Sequence, residues 1–273
     1  MASDIPVLII TGYGLNCEVE SSVAWEMAGA RPERVHLSDL VERPSRLGDY
    51  AALMFVGGFS YGDHMGSGHV FALRVRRRLG AELEKFIRAG KLVLGVCNGF
   101  QIMVKLGLLP GIDGEWFAQK LSIMQNDCGT FQNRWTPLRF EPDSPCVFTK
   151  GLAAAGLARF PLPVRHGEGK VFTPDRKLLE RLEALGCVPC RYADPETGEA
   201  TQEFPYNPNG ALNAIAGLCD PTGRVFGLMP HPEAYLYPEN HPRWDLQKMR
   251  GELPTEGLGL SLFRNAVEHL RRL

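Results

Sequence analysis

Residues 91–107 read KLVLGVCNGFQIMVKLG. The first part, Lys91 to Val96, is a short apolar run bounded upstream by Gly90, which is the pattern of a buried strand. From Asn98 the period changes: Ile102, Met103 and Leu106 follow helical spacing, and Gly107 supplies a stop. Between the two periods stands Gly95-Val96-Cys97-Asn98-Gly99, a G-x-nucleophile-x-G arrangement with sulfur in place of a serine hydroxyl. Glycines two residues either side allow a sharp strand-to-helix turn around a strained nucleophile. The helix start adds free N–H groups and a positive dipole end, which favour a thiolate and a developing oxyanion. A buried structural cysteine at a strand end shares part of this pattern. The case for Cys97 therefore rests on what accompanies it.

Working outward, Pro6 to Thr11 (PVLIIT) is nearly all apolar, as in a parallel strand covered on both faces. The loop Gly12–Asn16 leads into a helix predicted to bury Val19, Val23, Met27 and Ala28 and to stop at Gly29. Val35 and Leu37 are assigned to a second short strand, and Ala51 to Val56 to a third that Gly57-Gly58 breaks. After FSYGDHMGSGH, a helix over 70–89 carries Leu79, Leu83, Phe86 and Ile87 as its buried stripe. Strands alternating with helices imply βαβ units, hence α/β class with a twisted, mostly parallel central sheet flanked by helices. Ligands collect at the carboxyl ends of strands in such sheets. Gly12–Asn16, Gly57-Gly58 and Cys97 are thus expected on one rim.

From about residue 119 the texture changes. LSIMQND, WTPLRF and FPLPVRH are short and extended, and are read as a mixed extension of residues 1–273 as a single domain. Ala211–Ala216 and Val225–Met229 are read as strands. Residues 234–257 are long, Pro-bearing and weakly periodic, the mark of a functional loop or docking segment. A closing helix places Phe263, Ala266, Val267 and Leu270 on one face.

Composition sets the outer bounds. The 273 residues are 44% hydrophobic and 22% charged, ordinary for a globular chain with ample core. A net charge of −1 indicates neither a nucleic-acid footprint nor a basic membrane patch. Arg74-Val75-Arg76-Arg77-Arg78 is read as the wet face of a helix. No apolar run approaches the roughly 20 residues of a spanning helix, and the N-terminus lacks a basic n-region, so the expected compartment is cytoplasmic. The 7 cysteines are odd in number and scattered, which does not suggest a disulfide framework. Cys187-Val188-Pro189-Cys190 is a lone C-x-x-C without a second pair at zinc spacing, so no metal site is expected.

A thiol nucleophile needs a base, and the base an orienting group. Met229-Pro230-His231-Pro232-Glu233 closes the strand VFGLM. Residues before proline are pushed out of the α region, so His231 is extended and shares a face with Glu233. That lets the carboxylate hold one imidazole nitrogen while the other faces a thiol. Two backbone N–H groups should form the oxyanion hole: that of Asn98, and that of Gly58 in the turn after the third strand.

GVCNGFQ, the GGFSYGD loop, His166-Gly167-Glu168-Gly169 and GLMPHPE together resemble the class I (triad) glutamine amidotransferases. The branch is the one that serves phosphoribosylformylglycinamidine synthase in purine biosynthesis. Asn16-Cys17-Glu18 and NPNGALNAIAGLCDPTGRVFG are also similar to that branch. The resemblance implies a flavodoxin-like fold, Cys97 as nucleophile, His231 as base and Glu233 as its orienter. It implies Gly58 and Asn98 at the oxyanion hole, and Gln101 in the glutamine pocket. It further implies that glutamine yields ammonia to a synthetase subunit, sometimes with a small third subunit. No P-loop pattern occurs, so ATP and Mg are expected in the synthetase partner and no cofactor in this chain. Two features depart from the branch: Ala234 stands where Arg is usual after H-P-E, and 234–257 looks like an insertion. An amidotransferase serving another synthetase, and a stand-alone DJ-1-like cysteine hydrolase, share the elbow. Cys17 is the rival thiol, with no flanking glycine pair and a packing role expected.

Overall fold

The computed structural model describes residues 5–273. The first half runs β1 (Pro6–Thr11), α1 (Glu18–Ala28), β2 (Arg31–His36), α2 (Leu37–Glu42), β3 (Ala52–Phe55), α3 (His69–Arg88), β4 (Leu92–Val96) and α4 (Asn98–Leu106). The second half runs β5 (Ser122–Gln125), β6 (Gln132–Phe140), β7 (Arg159–His166), β8 (Glu168–Phe172), α5 (Arg176–Ala184), β9 (Cys190–Tyr192), β10 (Ile215–Cys219), β11 (Val225–Leu228), α6 (Trp244–Arg250) and α7 (Leu260–Arg271). The described residues form a 9-stranded sheet in the order β2-β1-β3-β4-β11-β10-β9-β6-β7, and β5 pairs with β8 in a separate ribbon.

The sheet has two halves. β2, β1, β3, β4 and β11 run parallel, and β10, β9, β6 and β7 continue it antiparallel. β3, β4, β10 and β11 are buried along their whole length, which is why their sequences are unbroken apolar runs rather than alternating ones. β6 and β7, nearer the edge, alternate in exposure. The extension expected after residue 119 thus joins the same sheet.

Three local expectations change. The inward face of α1 is Ser21, Ala24, Trp25 and Ala28, whereas Val19 is exposed. Trp25 sets this rotation. Its indole N–H donates to Met54 Sδ at 3.3 Å, and its ring meets Phe263 of α7 edge-on at 5.4 Å between centroids. Leu37 begins α2 rather than ending β2, because His36 Nδ1 accepts from the Ser38 N–H at 3.2 Å and caps the helix there. In the 211–216 stretch, a short 3₁₀ turn at Leu212–Ala214 precedes β10.

Residues 234–257 divide into two. Tyr235 and Leu236 are buried, with Tyr235 edge-on to Trp135 at 5.1 Å. Trp244, Leu246 and Met249 on α6 point outward.

The elbow depends on two absent side chains. A Cβ on Gly95 would collide with Met103 Sδ, and one on Gly99 with the Phe55 carbonyl oxygen. Backbone approach this close is what brings α4 onto β3 and β4. Gly99→Ala should therefore destabilise the chain by about 1–3 kcal/mol or more in urea titration, the range for overpacking. Gly48→Ala, where nothing lies within 4 Å of the added carbon and φ is not positive, should be neutral or slightly stabilising. Equal effects of the two would refute the steric account.

Candidate active site

Cys97 follows β4 directly and caps α4 at φ 52°, ψ −108°, a left-hand conformation that a non-glycine residue rarely adopts. It is held there from both sides. Its N–H donates to the Leu228 carbonyl at 2.8 Å, and Gln101 N–H donates to its carbonyl at 3.0 Å. Its Sγ lies 3.4 Å from the Arg165 carbonyl oxygen at the end of β7.

The same pairing that fixes Cys97 delivers His231. Val96 is opposite Leu228 in the β4–β11 ladder, so the chains leave the two strands side by side. The His231 N–H then donates to the Pro163 carbonyl of β7 at 2.8 Å. Its Nδ1 lies 2.6 Å from Glu233 Oε1, with both side chains buried. Nε2 and the second carboxylate oxygen have no hydrogen-bond partner among the described residues. Burial opposes the imidazolium charge, but Glu233 and the Cys97 and Cys17 thiols favour it and hold the His231 pKa well above its usual value. The arrangement keeps a proton on the imidazole beside a thiol.

Gly58 and Asn98, the expected oxyanion-hole donors, lie in the loop after β3 and at the start of α4. An isolated bridge joins Leu15 and Gly58. It is carried by Phe59 N–H to Gly14 O at 2.9 Å and Asn16 N–H to Gly57 O at 3.2 Å, a pattern in which the Gly58 N–H is not used. Gly58 has φ +140°, and a Cβ there would stand 2.7 Å from the Leu15 Cα. Asn98 is the first residue of α4, where N–H groups have no intrahelical acceptor.

A cavity of about 240 Å³ is lined by Asn16, Cys17, Gly58, Phe59, Cys97 and His231, among others. Across Phe59 and Phe131 lies a second cavity of about 320 Å³, bordered by Asp63, Gln125, Asn126 and Glu168. Gln101 stands behind this wall. Its Nε2 donates to the Glu168 carbonyl at 2.5 Å and its Oε1 accepts from Asn98 Nδ2 at 2.8 Å. Its amide is committed to the scaffold, and it props Asn98 and Glu168. Asn98 Oδ1 accepts from the Ser60 N–H at 3.3 Å, which ties the elbow to the loop after β3. Burial raises the Asp63 carboxyl; Glu168 adds to this, and the Ser67 hydroxyl opposes it.

Sequence reasoning did not place three features here. Cys17 stands in the catalytic cavity, because its N–H and that of Asn16 both donate to Gly57 O. Burial, with Glu233 adding, pushes its thiol up to about 11. Phe131 comes from the extension, and its place over Phe59 follows from the β6–β7 pairing, which has no local signal. His166 is buried against Asn126 Oδ1 at 3.1 Å; burial, reinforced by His231, pushes it down to about 3. Cys187 and Cys190 sit in the core with Cys146 and Cys219, away from the rim, and all are free thiols.

Residues 4–270 match the CobB/CobQ-like glutamine amidotransferase domain family. A phosphoribosylformylglycinamidine synthase subunit PurQ from Methanococcus maripaludis is 42% identical over 97% of this chain and 97% of that protein. One from Dehalococcoides mccartyi is 41% identical over 99% of this chain and all of that one. A chain in the structure of PurLQS from Thermotoga maritima superposes with a TM-score of 0.70 at 27% identity, covering 98% of this chain and 99% of that one. The Thermotoga maritima glutamine amidotransferase structure, with a TM-score of 0.52 at 16% identity, shares the fold.

The His166 environment has a pH consequence. The unfolded chain binds a proton on this side chain near pH 6.5, the folded protein only near 3. Its contribution is therefore complete above pH 6.5 and is lost on acidification below it, by up to about 1.4 kcal/mol per pH unit. His166→Gln should flatten the fall of urea-derived stability between about pH 6.5 and 4.5 relative to the parent. Superimposable pH profiles would mean that the imidazole is not held neutral.

Proposed function

The chain belongs to the PurQ family of glutamine amidotransferases, and we infer that it is the glutaminase subunit of phosphoribosylformylglycinamidine synthase, releasing ammonia from glutamine at Cys97. The observation that carries the mechanism is the buried His231–Glu233 pair at 2.6 Å, with the free imidazole nitrogen in one cavity with Cys97. We take residues 1–273 as one glutamine amidotransferase domain.

The Cys97 sulfur attacks the side-chain amide carbon, forming a C–S bond, while His231 holds the thiol proton. Glu233 keeps Nδ1 protonated and the ring oriented. The N–H groups of Gly58 and Asn98 receive the negative charge that develops on the amide oxygen. As the C–N bond breaks, His231 passes its proton to the leaving nitrogen and ammonia departs. Water then attacks the γ-glutamyl thioester; the C–S bond breaks, glutamate forms and the thiol regains its proton. Phe59 and Phe131, half exposed, wall the approach, and Gln101 acts on the pocket through Asn98 and Glu168.

We assign the use of ammonia to a synthetase partner; in support, the PurQ relatives are subunits of a synthase and the Thermotoga maritima chain belongs to PurLQS. That partner would supply ATP and Mg and convert formylglycinamide ribonucleotide to the amidine; a small third subunit fits the same scheme. No helix among the described residues is long and apolar enough to cross a membrane; a cytoplasmic site of action is part of the proposal.

The decisive variant is Cys97→Ala mixed with the synthetase partner. Glutamine-dependent amidine formation should fall by roughly 10⁶, as when a triad nucleophile is removed. Formation driven by ammonium chloride at alkaline pH should persist. Retained glutamine use would sink the assignment of Cys97.

α6 is the proposed docking element, since its Trp244, Leu246 and Met249 are exposed and aromatic side chains are enriched at interface hot spots. Trp244→Ala should weaken synthetase binding by more than about 1 kcal/mol in titration calorimetry, with a melting temperature near the parent's. A large melting shift with intact binding would make α6 a cover for the chain's own core.

A further inference from the structure

The turn that carries Gly58 is held by a second loop, and that loop by an arginine. Gly58 lies where the loops after β1 and β3 cross backbone to backbone. A Cβ on Gly14 would stand 2.5 Å from the Phe59 carbonyl oxygen, and one on Gly58 2.7 Å from the Leu15 Cα. Phe59 N–H donates to Gly14 O at 2.9 Å and Tyr61 N–H to Tyr13 O at 2.6 Å, while the Gly58 N–H takes no part in these bonds. Beside the crossing stand Tyr13 and Tyr61, both half-buried and both at positive φ, 54° and 55°. Residues other than glycine persist in that region only where their surroundings over-determine them. Here the surroundings are a stack and one guanidinium. The two tyrosine rings are 4.7 Å apart and 15° from parallel. Arg74 of α3 lies over the Tyr13 ring at 4.7 Å and donates from Nη1 to the Tyr61 hydroxyl at 2.7 Å. Arg74 is half-buried, whereas Arg76, Arg77 and Arg78 beside it are exposed.

We propose that Arg74 is a positioning residue for the glutaminase step: it clamps the Tyr13–Tyr61 stack, and through it the loop crossing that aims the Gly58 N–H at the developing oxyanion. Arg74 stands outside the catalytic cavity and borders a separate hollow with Val70 and Leu73. Its effect therefore passes through the two tyrosines. An oxyanion donor works only when it points at the place where the charge will sit, and a displacement of about 1 Å is costly. Without the guanidinium the stack loses its cation and the Tyr61 hydroxyl its donor. The two left-handed residues are then free to relax toward ordinary backbone, and the crossing moves with them. Attack of the Cys97 sulfur on the amide carbon meets a less stabilised oxygen, while the thiol and His231 are unaltered. This assignment rests on the glutaminase reading above.

The test measures ammonia release from glutamine by the full-length chain with its synthetase partner, next to alkylation of Cys97 by iodoacetamide. Alkylation displaces iodide at a saturated carbon and forms no oxyanion, so it reads the thiol without the Gly58 N–H. Arg74→Met should lower kcat by about ten- to a hundredfold at nearly parental KM, less than the roughly 10²–10³ that outright loss of one oxyanion donor costs. The rate and pH profile of Cys97 alkylation should match the parent's. Arg74→Lys, which keeps a cation and a donor, should recover part of kcat, and Arg76→Met on the exposed face should behave as the parent. Tyr61→Phe keeps the stack and removes one acceptor, so kcat should fall about three- to tenfold, the rate equivalent of one hydrogen bond. That variant decides the matter where Arg74→Met folds poorly. Parental kcat in Tyr61→Phe or in folded Arg74→Met, a raised KM at parental kcat, or a loss of alkylation that matches the loss of turnover would each overturn the proposal. A parent chain that releases no ammonia with its partner present would overturn the glutaminase reading itself, and the proposal with it.

Discussion

The parallel pairing of β4 with β11 is the constraint on which the rest of the molecule turns. Both strands are buried end to end, and their register sets Val96 against Leu228. A slip of one residue would reverse which side chains meet each face. It would also break the bond from Cys97 N–H to the Leu228 carbonyl, which helps hold the cysteine at positive φ. Because the two strands end together, the elbow and the Pro-His-Pro-Glu segment emerge at one rim, although they are far apart in the chain. The glycines at 95 and 99 allow the approach of α4 that this rim requires.

The His231–Glu233 pair illustrates how the rim tolerates buried charge. Taking two ionisable groups out of water is costly, and a close hydrogen bond offsets that only when the geometry is held. Here Pro230 and Pro232 confine the backbone on either side, and the His231 N–H is anchored on β7. The turn after Pro232 is packed against the start of α7, where a Cβ on Gly259 would strike the Pro232 carbonyl. Among the described residues one carboxylate oxygen and Nε2 have no hydrogen-bond partner, so the pair is fixed yet unsaturated. That is the condition in which the imidazole can exchange a proton with a group that enters the cavity.

What the sequence made legible is the part governed by local period. The change from strand to helical spacing at residues 96–98 located β4, the elbow and α4, whereas the Pro-His-Pro-Glu run, expected to be extended, turns into a 3₁₀ helix at Pro232–Ala234 and brings His231 and Glu233 together through that turn. α3 was legible for the same reason, with Leu79, Leu83, Phe86 and Ile87 buried along it. The rotation of α1 was not, because its inner face is made of serine and alanine around one tryptophan whose partners, Met54 and Phe263, come from elsewhere in the chain. Cys17 reads as a packing residue in sequence, since nothing local says that Gly57 O will gather the loop after β1 into the cavity. Gln101, expected in the pocket from its motif position, has its amide held between Asn98 and the Glu168 carbonyl, and the second of these ties, to a strand far along the chain, carries no local signal.

The antiparallel half of the sheet is as much a part of the site as the parallel half. Cys97, Gly58, Asn98 and His231 follow the ends of strands β3, β4 and β11, and the cavity they border is completed from the other half of the sheet. β7 supplies the Arg165 carbonyl near the Cys97 sulfur and the Pro163 carbonyl that anchors His231. The loop entering β6 brings Phe131 to 6.1 Å from Phe59, and that aromatic wall separates the two cavities. Phe59 itself belongs to the loop after β3, so the wall forms only where the two halves meet. Closing a site between the halves of one sheet buries the Cys97 side chain while leaving both phenylalanines partly exposed at the mouth. The extension after residue 119 therefore determines the shape of the pocket, and the elbow determines its chemistry.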